Sequence, residues 1–396
     1  MTPGPDPVLV FAVSVCSAII LVLKRVNIAL AITTAFLLYS IPLLGVNAFN
    51  VVVESFNATM LNTVLSLTFA MVLANLYRNT KASKEMVDSF ESLGWRTASI
   101  GVPAAIGLLP MPAGAYVSAT MIDPIYSKSG FNGVEKTFLN YWFRHIWVST
   151  WPLYQNIILA SAVLGLSYGE LFARTWVVMV SSAISGAVLF TYISRGRAVS
   201  SGGNRGLKGL IHLWPFPLIA LLSIYLNLPL YTALLIVVSL FLILYRPDAG
   251  VIKQAVKKSP DPTLIGLIII SLVFGNSIRV SGLANTLAER LAGYGALAVF
   301  AVPFSIVIAT GFEFTFVALG FPALKNLLTM SWYYTTLAFL GGFIGAMLSP
   351  AHACLVMSAK HFNTPLHKVY KYTLPATLMT VFASLFLIFL SNTLYA

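Results

Sequence analysis

The chain has 396 residues, 58% of them hydrophobic and 9% charged, with a mean hydropathy of +0.86 and a formal net charge of +12. A water-soluble chain of this length needs far more polar surface. Repeated apolar runs of about 18 residues or more instead predict a polytopic, all-α membrane protein in the lipid bilayer. The positive charge is therefore read as loop asymmetry across the bilayer, and no nucleic-acid partner is expected.

The first apolar run, 7–23, has no basic residue before it and is followed by Lys24 and Arg25. A signal peptide has the opposite charge order, so this is a retained span with its N-terminus outside. Spans follow at 26–44 and 58–77. The mixed-charge arm 78–96, RNTKASKEMVDSFESLGWR, reads as an interfacial helix. The stretch 97–126 is long enough for two half-helices, and its middle holds Pro110, Met111, Pro112, Ala113 and Gly114. Two prolines and a glycine would cost a spanning helix backbone hydrogen bonds that lipid cannot replace, so the stretch reads as a re-entrant hairpin with PMPAG at its tip. Asp123 and Pro124 end it as a helix-terminating turn near the inner surface.

Next come a span at 137–165 broken at Pro152, then spans at 170–193, 210–227, 229–245 and 262–278. A second hairpin is predicted at 296–324, its tip at TGFEFT, 310–315. A second broken span, 331–359, is interrupted at Ser349 and Pro350, and the last span is 371–395. The total is ten spans and two hairpins. Cys16 and Cys354 both lie in apolar segments, and no disulfide framework is implied.

With both hairpins returning to the side they entered from, 19 of the 24 basic residues fall on the inner side. The outer side receives Arg174, Arg279, Arg290 and Lys325, and only Arg144 lies well inside a span. That asymmetry supports the topology.

The chain also repeats itself. Residues 74–94, ANLYRNTKASKEMVDSFESLG, resemble residues 275–295, GNSIRVSGLANTLAERLAGYG. Asn75, Arg78 and Gly94 align with Asn276, Arg279 and Gly295; Pro103 aligns with Pro303, and Pro152 with Pro350. Residues 1–200 and 201–396 thus read as two repeats. Five crossings per half is an odd number, so the second is inverted, as in secondary transporters with interrupted helices. Half-helix ends at a break offer unpaired N–H groups and a positive dipole end, which suit an anion.

At LLPMPAGAYVSA, at NYWFRHIW followed by PLY, and at GAMLSPAHACLVMS, the sequence resembles an uncharacterised prokaryotic membrane-protein family, a domain of unknown function within the ion-transporter superfamily. The resemblance covers nearly the whole chain. It implies inverted repeats, two re-entrant hairpins, two broken helices, a homodimer, an elevator motion and residence in the cytoplasmic membrane of a prokaryote. Members of that superfamily carry citrate, dicarboxylates, gluconate or arsenite, or exchange sodium for protons. The chain departs from the sodium–dicarboxylate branch, because PMPAG and GFEFT stand where that branch has Ser-Asn-Thr motifs. Val148 follows RHIW where the family often has an acid, and the family usually lacks an acid at the position of Glu313.

The candidate substrate-binding residues are the five of the first tip, Ser118 after it, Tyr154 and Asn156 past the first break, Thr310, Gly311 and Thr315 of the second tip, and Ser349 and His352 of the second break. Each polar group at a break also has a plain alternative, repair of the kink. Arg144 and His145 lie roughly 12 Å into their span. Arg144 is either a snorkelling side chain or an anion counter-charge. Adjacent helical residues point about 100° apart, which assigns one of the pair to packing. Glu313 is the acid most suited to proton coupling, because a membrane-buried carboxylate is costly unless paired, hydrated or protonated. His352 is a second titratable candidate.

These readings lead to a secondary transporter of a small organic anion, coupled to protons or sodium, with no other cofactor. A cation–proton antiporter with Glu313 as the ligand is the alternative. A membrane-embedded enzyme acting on a lipid-like substrate through His352, Cys354 and Ser349 comes from another class, and a catalytic role is not expected. No histidines or acids stand at metal-ligand spacing, so no metal is expected either.

Overall fold

The computed structural model describes residues 5–111, 114–197, 206–291 and 293–395. Among the described residues there are helices and no strands. Among the described residues six helical segments are long and apolar enough to cross a membrane: Ala58–Arg78, Tyr168–Ile193, Lys208–Tyr225, Pro262–Val280, Trp332–His361 and Leu366–Asn392. The helices Pro7–Leu23, Ile28–Leu44 and Leu230–Tyr245 are equally apolar but have only 17, 17 and 16 residues.

The stretch 97–126 forms two packed helices, Trp95–Gly107 and Gly114–Lys128, of 13 and 15 residues. At 1.5 Å per residue each is roughly 20 Å long, too short for a ~30 Å hydrocarbon core. Pro112 and Ala113, predicted at the tip, lie outside the described residues. The stretch 296–324 forms Gly295–Thr310, then a π-turn and helix over Phe316–Met330. Gly311 ends the first of these with φ of 73°, the left-handed cap that glycine adopts without a Cβ penalty. The Oγ1 atoms of Thr310 and Thr315, 2.9 Å apart, close the tip. Each hairpin's leading helix contains the aligned proline, Pro103 or Pro303.

The first broken span is Gly133–His145 followed by Gln155–Leu164. Its interruption covers 146–154, far more than the single kink expected at Pro152. The second is Trp332–Leu348 followed by Ala353–His361. The final helix starts at Leu366, five residues before the predicted 371.

Two short amphipathic helices, Asn47–Ser55 and Ala249–Lys258, occupy stretches expected to be loops. They are too short and too polar to register as apolar runs, and they become helical by docking. Asn276 donates to Ser55 Oγ at 3.1 Å, beside the first of them. Asn75 donates to Ser259 Oγ at 3.0 Å, just past the second. The aligned asparagines thus make reciprocal bonds between the halves. Each also accepts from its own arginine, Arg78 to Asn75 at 3.4 Å and Arg279 to Asn276 at 2.6 Å.

A buried hydrogen bond of this kind contributes about 1 kcal/mol. Asn75→Ala is therefore expected to lower stability by about that amount. The double variant Asn75→Ala/Ser259→Ala should cost no more than the larger single change, measured as a double-mutant cycle of unfolding midpoints. Strict additivity would show that the two side chains are not coupled.

Candidate functional site

The two hairpin tips and the two helix breaks meet at one place. The carbonyls that end the first hairpin's leading helix are met by side chains from the first break. Trp147 Nε1 donates to Ala104 O at 2.8 Å, Trp151 Nε1 to Leu108 O at 2.9 Å and the Tyr154 hydroxyl to Gly107 O at 2.6 Å. Asn156 Nδ2 donates to Val148 O at 2.9 Å within the break. The second site is built alike. Ser349 Oγ donates to Ile308 O at 2.9 Å, and the Tyr141 and Tyr370 hydroxyls donate to Ala346 O and Leu348 O, each at 2.9 Å. Helix C-termini leave carbonyls without partners, and each one left unmet in lipid costs several kcal/mol.

The N–H ends are left open. Gln155–Leu164 and Ala353–His361 begin after Tyr154 and His352, and neither cap residue makes a side-chain capping bond. Both starts line a cavity of about 950 Å³. Two positive helix ends therefore face one space.

Arg144 stands in the same cavity, only 5% exposed. Its guanidinium lies against Gly114, where any Cβ would overlap Nη2. Nη1 approaches Cys354 Sγ at 3.5 Å, and the buried Nε has no hydrogen-bond partner. Among the described residues no carboxylate lies within 4.0 Å of it. Glu313, at the second tip, brings Oε1 to 3.8 Å from Nε2 of both His145 and His352, and that oxygen also lacks a hydrogen-bond partner. The two histidine Nε2 atoms are 3.3 Å apart, and His145 Nδ1 lies 2.6 Å from Tyr141 O. Where the tips and breaks meet, the cavity holds one permanent cation, one carboxylate, two imidazoles and a thiol. That set can pair an anion, take up a proton or ligate a metal ion.

The family model for a protein of unknown function, DUF401, matches residues 7–390. The chain belongs to the DUF401 family. No curated protein matches it.

In this DUF401 chain ten of the predicted residues line the cavity: Pro110, Met111, Arg144, His145, Tyr154, Asn156, Thr310, Gly311, Glu313 and His352. Arg144 and His145 both line it, although adjacent helical positions diverge, so neither of the pair is left to packing alone. Ser118, Thr315 and Ser349 do not line it. Ser118 is fully buried with its hydroxyl unpartnered, while Thr315 and Ser349 bond to backbone carbonyls at the tip and the break. Pro112 and Ala113 fall outside the described residues, and Gly114 meets the site through Arg144.

The sequence placed Cys354 only in the enzyme alternative and not among the substrate-binding residues, and it missed the opposite wall, which includes Arg25, Asn27, Asp261 and Thr263. Cys354 had a signal. The step that relates Pro152 to Pro350 also relates Tyr154 to His352 and Asn156 to Cys354. The opposite wall had none, since loop residues acquire a role here only by facing the breaks.

Proposed function

We propose that this DUF401 protein is a secondary transporter that carries a small organic anion across the cytoplasmic membrane of a prokaryote, coupled to protons or sodium. In this reading it has ten spans and two re-entrant hairpins in two inverted repeats, 1–200 and 201–396, and moves as an elevator, as ion-transporter-superfamily proteins do. The observation that carries the proposal is the asymmetry at the breaks. Side chains meet the carbonyl ends, while two N–H ends and Arg144, without a carboxylate partner among the described residues, face one cavity. Two positive helix ends and a guanidinium without a carboxylate partner suit an anion.

Sidedness has support in the ion pairs. Arg290 pairs with Asp6 at 2.9 Å, both on the proposed outer side. Lys136–Asp123 and Arg197–Glu135 join groups assigned to the inner side. The cavity also borders Arg25 and Asp261, which this reading assigns to inner loops, and on that assignment the arrangement is inward-facing. Its walls are the hairpins and broken spans on one side and the 22–28 turn and the start of Pro262–Val280 on the other. That is where a sliding transport domain would release cargo. The apolar spans 1, 2, 6 and 7 supply the scaffold and the homodimer contact.

Coupling follows from charge. With Glu313 ionised, the charges of Arg144 and Glu313 cancel; with Glu313 protonated, Arg144 is free to pair with the substrate. Anion binding should therefore strengthen as pH falls. The test is thermal stabilisation of purified protein by a panel of carboxylates and oxyanions at acidic and neutral pH, followed by uptake into vesicles. Glu313→Gln should keep anion binding and abolish its pH dependence. An unchanged pH profile in that variant would remove Glu313 from coupling. Stabilisation by sodium alone, with no anion response, would overturn the anion reading in favour of the antiporter, which the buried, unpartnered Glu313 oxygen also suits.

A further inference from the structure

We propose that His145, His352, Glu313 and Cys354 form a binding site for one divalent transition-metal ion of the zinc class. One ligand atom from each of His145, His352 and Cys354 lies within 4.8 Å of the others. Zinc–nitrogen bonds of 2.0–2.1 Å in a tetrahedron place two nitrogens about 3.3–3.4 Å apart. The two Nε2 atoms stand at 3.3 Å.

The orientation of His145 fits the same chemistry. Its Nδ1 sits 2.6 Å from Tyr141 O, so Nδ1–H donates to the carbonyl and the Nε2 lone pair points into the cluster. Such a backbone partner on the remote nitrogen is the usual support of a ligating imidazole.

A second observation is independent of the histidine pair. Glu313 Oε1 is buried without a hydrogen-bond partner, 3.8 Å from each Nε2. That is too long for a hydrogen bond and about 0.4–0.5 Å longer than the spacing of atoms that share a zinc ion, a gap that a small side-chain shift closes. A buried carboxylate oxygen with no donor is an expensive feature that a cation between the three groups would satisfy.

Cys354 completes the set. Its thiol is partly accessible and lines the cavity, which gives an ion a route in. Arg144 Nη1 stands 3.5 Å from the sulfur, and the thiol gives up its proton when it binds a metal. Two imidazoles, a thiolate and a carboxylate select a borderline metal over sodium or magnesium, which prefer all-oxygen shells. The charges also close. A divalent ion neutralises the thiolate and the carboxylate, as a proton on Glu313 neutralises the carboxylate in the metal-free protein, and leaves the charge of Arg144 for an anion.

This inference does not rest on transport, because metal binding is read on purified full-length protein without flux. Cobalt(II) titrated into the metal-free protein should bind at one equivalent. It should give visible ligand-field bands of tetrahedral intensity and a near-ultraviolet thiolate-to-cobalt charge-transfer band, and zinc should displace both. A Cys16→Ser background removes the other thiol. In that background Cys354→Ser should abolish the charge-transfer band, and His352→Gln should abolish stoichiometric binding. No cobalt binding, or a charge-transfer band that survives Cys354→Ser, would overturn the site. A measurement that needs no further variant is maleimide labelling of Cys354 in the Cys16→Ser protein. Zinc should slow it strongly, and an unchanged rate would overturn the proposal.

Discussion

Replacing Arg144 with glutamine is expected to weaken anion binding by about 10- to 150-fold, the equivalent of the ~1.5–3 kcal/mol that hydrogen bonds to charged groups contribute. Arg144→Lys should fall between, since lysine keeps the charge and loses the planar fork. Stability should move the other way. Arg144 is 5% exposed, and no carboxylate stands within ion-pair distance among the described residues. Its removal therefore relieves a desolvated charge rather than breaking a pair. The melting temperature of Arg144→Gln should be unchanged or higher while anion-induced stabilisation is lost. A packing role predicts the reverse, a lower melting temperature with ligand response intact. That outcome would remove the anion site from the first tip.

The largest effect on stability is expected at Gly311. Its φ is 73°, and a Cβ there would lie 2.6 Å from the carbonyl carbon of Ala351 and 2.9 Å from the His352 nitrogen. The second tip is thus seated directly on the second break. Gly311→Val should cost about 3–5 kcal/mol, combining left-handed backbone strain with overpacking against atoms that cannot retreat. Gly165 is the matched control, with φ of 74° and nothing within 4 Å of a built Cβ. Gly165→Val should show the backbone part alone, about 1–2 kcal/mol. Equal losses in the two variants, measured as unfolding midpoints under the same conditions, would mean that the tip does not dock as described.

Several elements were legible because their causes are local. The apolar runs at 58–77, 170–193 and 262–278 became Ala58–Arg78, Tyr168–Ile193 and Pro262–Val280, with boundaries shifted by two residues or fewer. The prolines at 110, 152 and 350 marked interruptions, but Asp123 and Pro124, expected to end their helix, lie inside Gly114–Lys128, as Pro103 and Pro303 lie inside theirs, because a helix continues through a proline where packing holds both sides of it. The short helices Asn47–Ser55 and Ala249–Lys258 were not legible. Nine or ten residues of mixed character carry no decisive period, and partners on the other half of the chain hold them. The wide first break was also invisible. Residues 146–154 read as a helix with one kink, but Trp147, Trp151 and Tyr154 turn away to serve the carbonyls of a neighbouring helix.

The sequence by itself determined the class of this protein: helical, apolar, with runs that fit a bilayer and with breaks at stated places. Those properties follow from composition and from the demand that every backbone group in lipid find a partner. It also supplied Arg144 and Glu313 as charges standing where charge is costly. Only the tertiary structure decided what those residues do together. Residues 145, 313 and 352–354 lie on three separate segments, and no spacing along the chain encodes the 3.3 Å and 3.8 Å distances that join them. The folded backbone set those distances. It left the carbonyl ends capped and the N–H ends open, because capping is settled by whichever side chains the neighbouring segments bring within reach.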